Sequence, residues 1–175
     1  PIAEEIYRRF GDSVYAEGET SIQETVAKIL IDKKVTIAVA ESCTGGLVAA
    51  KLIEYPGISE VLLEGAVTYS NEAKKRRLGV KDETLSAYGA VSAETAAEMA
   101  KGIAMTSGAD IGVSTTGVAG PGPSEGKPEG LVYVGVYMGG KSYVKELHLA
   151  GKRNVIRERA AYSALDFLRR KLILD

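Results

Sequence analysis

Ala40-Glu41-Ser42-Cys43-Thr44-Gly45-Gly46 sets a hydroxyl, a thiol and a second hydroxyl side by side, ahead of two glycines. Val35-Thr36-Ile37-Ala38-Val39 before it is short and β-branched, which predicts a buried strand. Leu47 to Ile53 after it has helical composition and length. A polar turn then joins the carboxyl end of a strand to the amino end of a helix, where open α/β sheets place their ligands. The first helical N–H groups lack internal partners and point into such a turn. Gly45 and Gly46 remove the side chains that would block a close approach. An N-cap accounts for one hydroxyl, but not for two hydroxyls, a thiol and two glycines.

Two nucleophiles are on offer, Ser42 and Cys43, and Ser42 ranks first because no His lies near Cys43 in the pattern. A serine attacks only once a base takes its proton. The lone His148 sits in an alternating strand pattern and reads as a strand residue. A lysine can serve if desolvation or a nearby positive charge lowers its pKa. Lys74 lies one helical turn beyond the loop Tyr69-Ser70-Asn71. By composition alone it reads as the solvated face of a basic helix, with Lys75, Arg76 and Arg77. After Thr115-Thr116, the run Gly117-Val118-Ala119-Gly120-Pro121-Gly122 could turn its N–H groups inward around an anion. Arg153 and Arg157 share one helix face and could clamp a phosphate, or pair with Glu158 and Glu146.

Elements of both periods must position these residues. Ile2, Ile6 and Phe10 have helical spacing, and Val14 to Glu19 reads as an extended linker. Ser21 with Glu24 makes a capping box for a helix to about Ile31. Val61 to Tyr69 and Asp110 to Thr116 read as further strands, each running into a candidate loop. If the three strands are parallel, their loops gather on one sheet edge. Ser70 or Asn71 caps a helix to Leu78, Asp82 caps a short helix to Ala87, and Ser92 caps an Ala-rich one to Thr106. Leu131 to Met138 and Ser142 to Leu149 alternate around Gly139-Gly140, a hairpin. Lys152 to Lys171 forms a closing helix with Val155, Ile156, Ala160, Leu165, Leu168 and Leu172 to bury. The fold class is α/β: a mixed sheet with one antiparallel hairpin, covered by helices in three α/β/α layers.

Composition bounds the partners. The 175 residues, 45% hydrophobic, suit one compact domain. Net charge −1 gives no footprint for nucleic acid. One Cys forms no internal disulfide and one His excludes a multi-His zinc site. No apolar run of membrane-spanning length or signal-peptide core appears, which predicts a cytoplasmic protein with no membrane partner.

Six ordered motifs carry a resemblance: Glu41-Ser42-Cys43-Thr44-Gly45-Gly46, Val67 to Lys74, Leu78-Gly79-Val80, Gly89-Ala90-Val91-Ser92, Thr116 to Gly122, and Arg153-Asn154-Val155-Ile156-Arg157. Over about Ser21 to Leu172 the chain resembles the CinA carboxy-terminal domain family, whose stand-alone bacterial members include a nicotinamide mononucleotide deamidase. The first twenty residues resemble the segment joining this domain to the upstream part of full-length CinA. Together with the start at Pro1, this implies an excised piece: a linker over residues 1–20 and a deamidase domain over 21–175. The resemblance implies hydrolysis of the mononucleotide's carboxamide to nicotinate mononucleotide and ammonia, with no metal and no organic cofactor needed. It makes Ser42 the nucleophile and Lys74 the base, overriding the solvated-face reading. Cys43, Thr44, Gly45, Gly46, Tyr69, Asn71, Thr116, Gly117, Gly120, Arg153 and Arg157 become substrate-binding, and a homodimer is expected. Pro123-Ser124-Glu125 departs from the family, whose members often carry more glycine there. A pyridine-nucleotide-binding regulatory or interaction domain without turnover is the other reading; only the enzyme needs both Ser42 and Lys74.

Overall fold

The computed structural model describes residues 2–174. Pro1, on which the excised-piece expectation leaned, and Asp175, the stated domain end, lie outside the described residues. Five strands form one sheet: β1 Ile37–Glu41, β2 Leu62–Val67, β3 Ile111–Gly117, β4 Leu131–Met138 and β5 Lys141–His148. Their spatial order is β2-β1-β3-β4-β5. β1 pairs parallel with β2 and with β3, whereas β3–β4 and β4–β5 are antiparallel. The mixed sheet with its Gly139-Gly140 hairpin is as the alternation predicts.

Side-chain alternation along the central strands builds two cores. Ile37 and Val39 point to one face with Ile111 and Val113, against α2 (Ile22–Lys33), α3 (Leu47–Ile53) and α7 (Arg153–Leu174). Ala38 and Ala40 point to the other, against Met99 and Ile103 of α6 (Ala93–Ser107) and Leu78 of α4 (Asn71–Leu78). Small residues bring α6 close to the sheet. A methyl group at Gly112 would collide with the carbonyl oxygen of Ala100, and one at Gly135 with that of Ala96. α5 (Asp82–Tyr88) connects α4 to α6, while α1 (Ile2–Phe10) buries none of its residues. The segment after α1 is tied down by Asp12, which pairs with Arg170 at 2.7 Å.

Caps follow the sequence with one exception. Ser21 forms its capping box with Glu24, and the Ser70 and Ser92 hydroxyls accept from the third residue beyond. Asp82 does not cap α5; Lys81 holds that position without a side-chain bond, and the Asp82 carboxylate pairs with Lys75 at 2.9 Å. In α7 Val155 is exposed rather than buried, because Ile156 and Ala160 take the inward stripe. No helix among the described residues is long and apolar enough to cross a membrane.

Gly112→Ala should test the close α6–sheet contact. The added methyl must displace helix backbone, and we expect about 1–3 kcal/mol of lost stability in urea unfolding.

Candidate active site

Parallel pairing lines up three strand ends. Glu41, the last residue of β1, stands opposite Val67 of β2 and Thr115 of β3. The turn after β1, the Thr68–Ser70 connection and the Gly/Pro loop therefore open at one edge. There the Lys74 Nζ lies 3.2 Å from the Ser42 Oγ, 3.0 Å from the Thr68 carbonyl oxygen and 3.1 Å from that of Tyr69. Lys74 is 1% exposed, so the solvated-face reading is wrong for this one residue of a basic helix. Neighbouring Lys75 behaves as that reading expects, bound to Glu72 and Asp82 on the surface. Burial lowers the Lys74 pKa from its ordinary 10.5, partly opposed by the neighbouring Cys43 and Glu125 side chains.

A neutral amine fits this arrangement. Its two N–H bonds serve the Thr68 and Tyr69 carbonyls, and its lone pair is left for the Ser42 hydroxyl proton. Cys43 is unsuited to attack: burial pushes its thiol up to about 12, despite the N–H groups of Cys43 and Thr44 beside it. It packs with Ala119, Val132, Ile156 and Ala160. His148 is exposed on β5 and bonds Glu146 at 2.6 Å, with no contact to Ser42.

The turn itself is built around Glu41, which sequence reasoning left without a role. Its buried carboxylate accepts from the N–H groups of Gly46 (3.0 Å), Val48 (3.0 Å) and Ala49 (2.9 Å) and from the Thr44 hydroxyl (2.5 Å). The α3 amino terminus is thus filled from within and is not open to a ligand, contrary to the sequence expectation. A carboxylate closing an otherwise apolar strand was the signal available. Thr44 also shares a 2.7 Å bond with Thr115.

A cavity of about 180 Å³ opens beside the pair, lined by Ser42, Asn71, Lys74, Thr116 and Glu125. A second lobe of about 320 Å³ runs along Gly117 to Ser124 to Arg153. Cys43, Tyr69, Gly117 and Ser124 border both. Thr116 donates its hydroxyl to the Ala90 carbonyl at 2.7 Å, tying β3 to the turn before α6. Glu125, from the stretch that departs from the family, accepts from the Ala90 N–H at 3.0 Å. In the loop, Gly122 gives its N–H to Glu129, while among the described residues the Ala119 and Gly120 N–H groups donate to no oxygen. Gly120 passes its carbonyl to Arg153, whose other nitrogen meets the Tyr69 hydroxyl at 3.1 Å. Neither arginine takes the expected acidic partner: Glu158 pairs with Lys51 and Glu146 with His148. Thr44, Gly45, Gly46 and Arg157 line neither lobe and stand behind the turn. Among the described residues no three His, Cys, Asp or Glu side chains gather to hold a metal ion.

The CinA C-terminal domain family matches residues 19–172. The chain belongs to this family. The CinA domain is 60% identical over 173 residues to a competence-damage inducible protein of Clostridium botulinum, covering 98% of this chain and 42% of that protein. A protein of the same description from Clostridium acetobutylicum is 57% identical over 174 residues, again with 42% of its length covered. The chain thus spans less than half of these relatives. Among solved structures, a CinA superfamily protein from Klebsiella pneumoniae superposes with a TM-score of 0.86 at 34% identity, covering 88% of this chain and 97% of that one. A competence/damage inducible protein from Agrobacterium tumefaciens gives 0.80 at 38% identity, covering 90% and 99%. The three-layer α/β/α arrangement is that of these structures.

Two measurements check the site. Cys43 should react with an alkylating reagent near neutral pH far more slowly in the folded CinA domain than in denaturant, because burial holds its thiol at about 12. Glu41→Gln turns an amide N–H₂ toward groups that are all donors, so it should cost about 2–4 kcal/mol of stability in chemical denaturation.

Proposed function

We propose that the CinA domain is an amidohydrolase that converts nicotinamide mononucleotide and water to nicotinate mononucleotide and ammonia. The observation that carries this reading is the buried Lys74 amine, 3.2 Å from the Ser42 hydroxyl with no carboxylate bonded to it. A non-catalytic binding module has no need to desolvate a lysine against a serine.

Neutral Lys74 takes the Ser42 proton, and the Ser42 Oγ forms a bond to the amide carbon. The oxyanion faces the N–H groups of Cys43 and Thr44, which donate to no oxygen among the described residues. Lys74 returns the proton to the nitrogen, the C–N bond breaks and ammonia leaves. Lys74 then takes a proton from water, the hydroxide adds to the ester carbon, and the C–O bond to Ser42 breaks as Lys74 returns that proton to the Ser42 Oγ; the freed acid loses its proton to solvent as the carboxylate. The pyridinium suits a lysine that must stay neutral, since its charge further disfavours the ammonium. Its ring fits beside Tyr69, whose face attracts a cation. The 5′-phosphate belongs in the larger lobe, with Arg153 and the free N–H groups of Ala119 and Gly120. No cofactor enters this scheme. A homodimer in the cytoplasm remains part of the proposal, tested by light scattering at twice the 18.5 kDa chain mass.

Ammonia release from nicotinamide mononucleotide is the deciding assay. Ser42→Ala and Lys74→Arg should both abolish it with the fold intact, whereas Lys75→Ala should keep near-normal turnover; an active Lys74→Arg would remove the lysine base. For the unmodified domain, kcat/KM should rise with pH along a limb below the ordinary lysine value of 10.5, as Lys74 loses its proton.

The phosphate lobe has its own test. Nicotinamide riboside should show kcat/KM lower by about 10- to 100-fold, the loss of one charge-assisted contact of roughly 1.5–3 kcal/mol. Arg153→Ala should bring the two substrates together.

A further inference from the structure

Arg157 carries the family's second arginine position, yet it does not reach the cavity. Its Nε donates to the Cys43 carbonyl at 3.3 Å and its Nη2 to the Thr44 carbonyl at 3.0 Å, while Nη1 meets the Asn154 side-chain oxygen at 3.2 Å. A methyl group at Gly45 would stand 3.2 Å from Nη2, so the turn and the guanidinium are in close register. In a trans peptide the C=O and N–H point in opposite directions. Pulling the Cys43 carbonyl outward therefore turns the Thr44 N–H to the far side, beside the Cys43 thiol that borders both lobes. Gly45, the next peptide, has its N–H closed onto the Ser42 carbonyl at 3.1 Å, which shapes the turn behind the nucleophile. A cation on a carbonyl also polarises the peptide and strengthens the N–H at its other end.

We infer that Arg157 is a positioning residue for the proposed amide hydrolysis: it orients and polarises the peptides after Ser42, and it is not a phosphate ligand. The inference rests on the amidase reading for its kinetic consequence, but the geometry has a readout of its own. Lysine at 157 supplies charge without the fork that spans two carbonyls.

The test compares Arg157→Lys and Arg157→Ala on nicotinamide mononucleotide and on nicotinamide riboside. Loss of the oriented Thr44 N–H as an oxyanion donor should lower kcat on the order of 10- to 100-fold for both substrates, with KM shifting by less than about threefold. The preference for the mononucleotide should be unchanged, and added guanidinium ion should restore part of the Arg157→Ala rate. Raised KM with a collapsed preference would make Arg157 a phosphate ligand instead, and unchanged kinetics would make it a surface residue; either overturns the inference. Should Arg157→Ala fail to fold, Arg157→Lys carries the same comparison. An unmodified protein that releases no ammonia counts against the amidase reading alone. Faster alkylation of Cys43 in a folded Arg157→Lys then reads the loosened turn directly, and an unchanged alkylation rate would overturn the positioning role.

Discussion

A lysine amine buried without a carboxylate in contact is the constraint on which this site depends. Removing an ammonium from water is costly, and here the partners are two carbonyl oxygens and a serine hydroxyl. The surroundings must therefore hold the carbonyls of Thr68 and Tyr69 at fixed positions, one element away from Lys74 on α4. β2 has to end at Val67 for the chain to turn there, and Ser70 has to start α4 at once. The short distance between a strand end and a helix cap is thus what places the Lys74 amine.

Ser42 is held by charge on two sides. Glu41 lies inside the turn and gathers the N–H groups of the α3 start; Arg157 lies outside and gathers the carbonyls of Cys43 and Thr44. Both are satisfied by backbone, which makes the turn rigid without spending the groups that face the cavity. A turn restrained in this way keeps Ser42 within reach of Lys74, the preorganisation that the proposed hydrolysis calls for.

The two lobes divide the labour in the same spirit. In the smaller one, bonds from Thr116 and Glu125 to Ala90 join walls from β3, the loop and the turn before α6. Arg153 bridges the Gly/Pro loop to Tyr69 across the mouth of the larger one. The proposed substrate, with a cationic ring at one end and a phosphate at the other, is assigned to the lobes on that division.

Local pattern determined much of this protein. The β-branched runs, the capping box at Ser21 with Glu24, the caps at Ser70 and Ser92, and the Gly139-Gly140 hairpin follow from steric and hydrogen-bonding preferences of neighbouring residues. The motif around Ser42 was legible for the same reason, as a polar turn between strand and helix. Tertiary structure decided what those preferences cannot reach. Lys74 and Lys75 are alike in composition and in helix, and only the packing of α4 under the β2 end buries one and leaves the other in water. Glu41 and Arg157 gained their roles in the same way. The parallel register sets Glu41 under the α3 start, and α7 brings Arg157 across more than a hundred residues of chain to the Cys43 and Thr44 carbonyls. Long-range desolvation and contact depend on which elements meet, and a window of sequence holds only one of them.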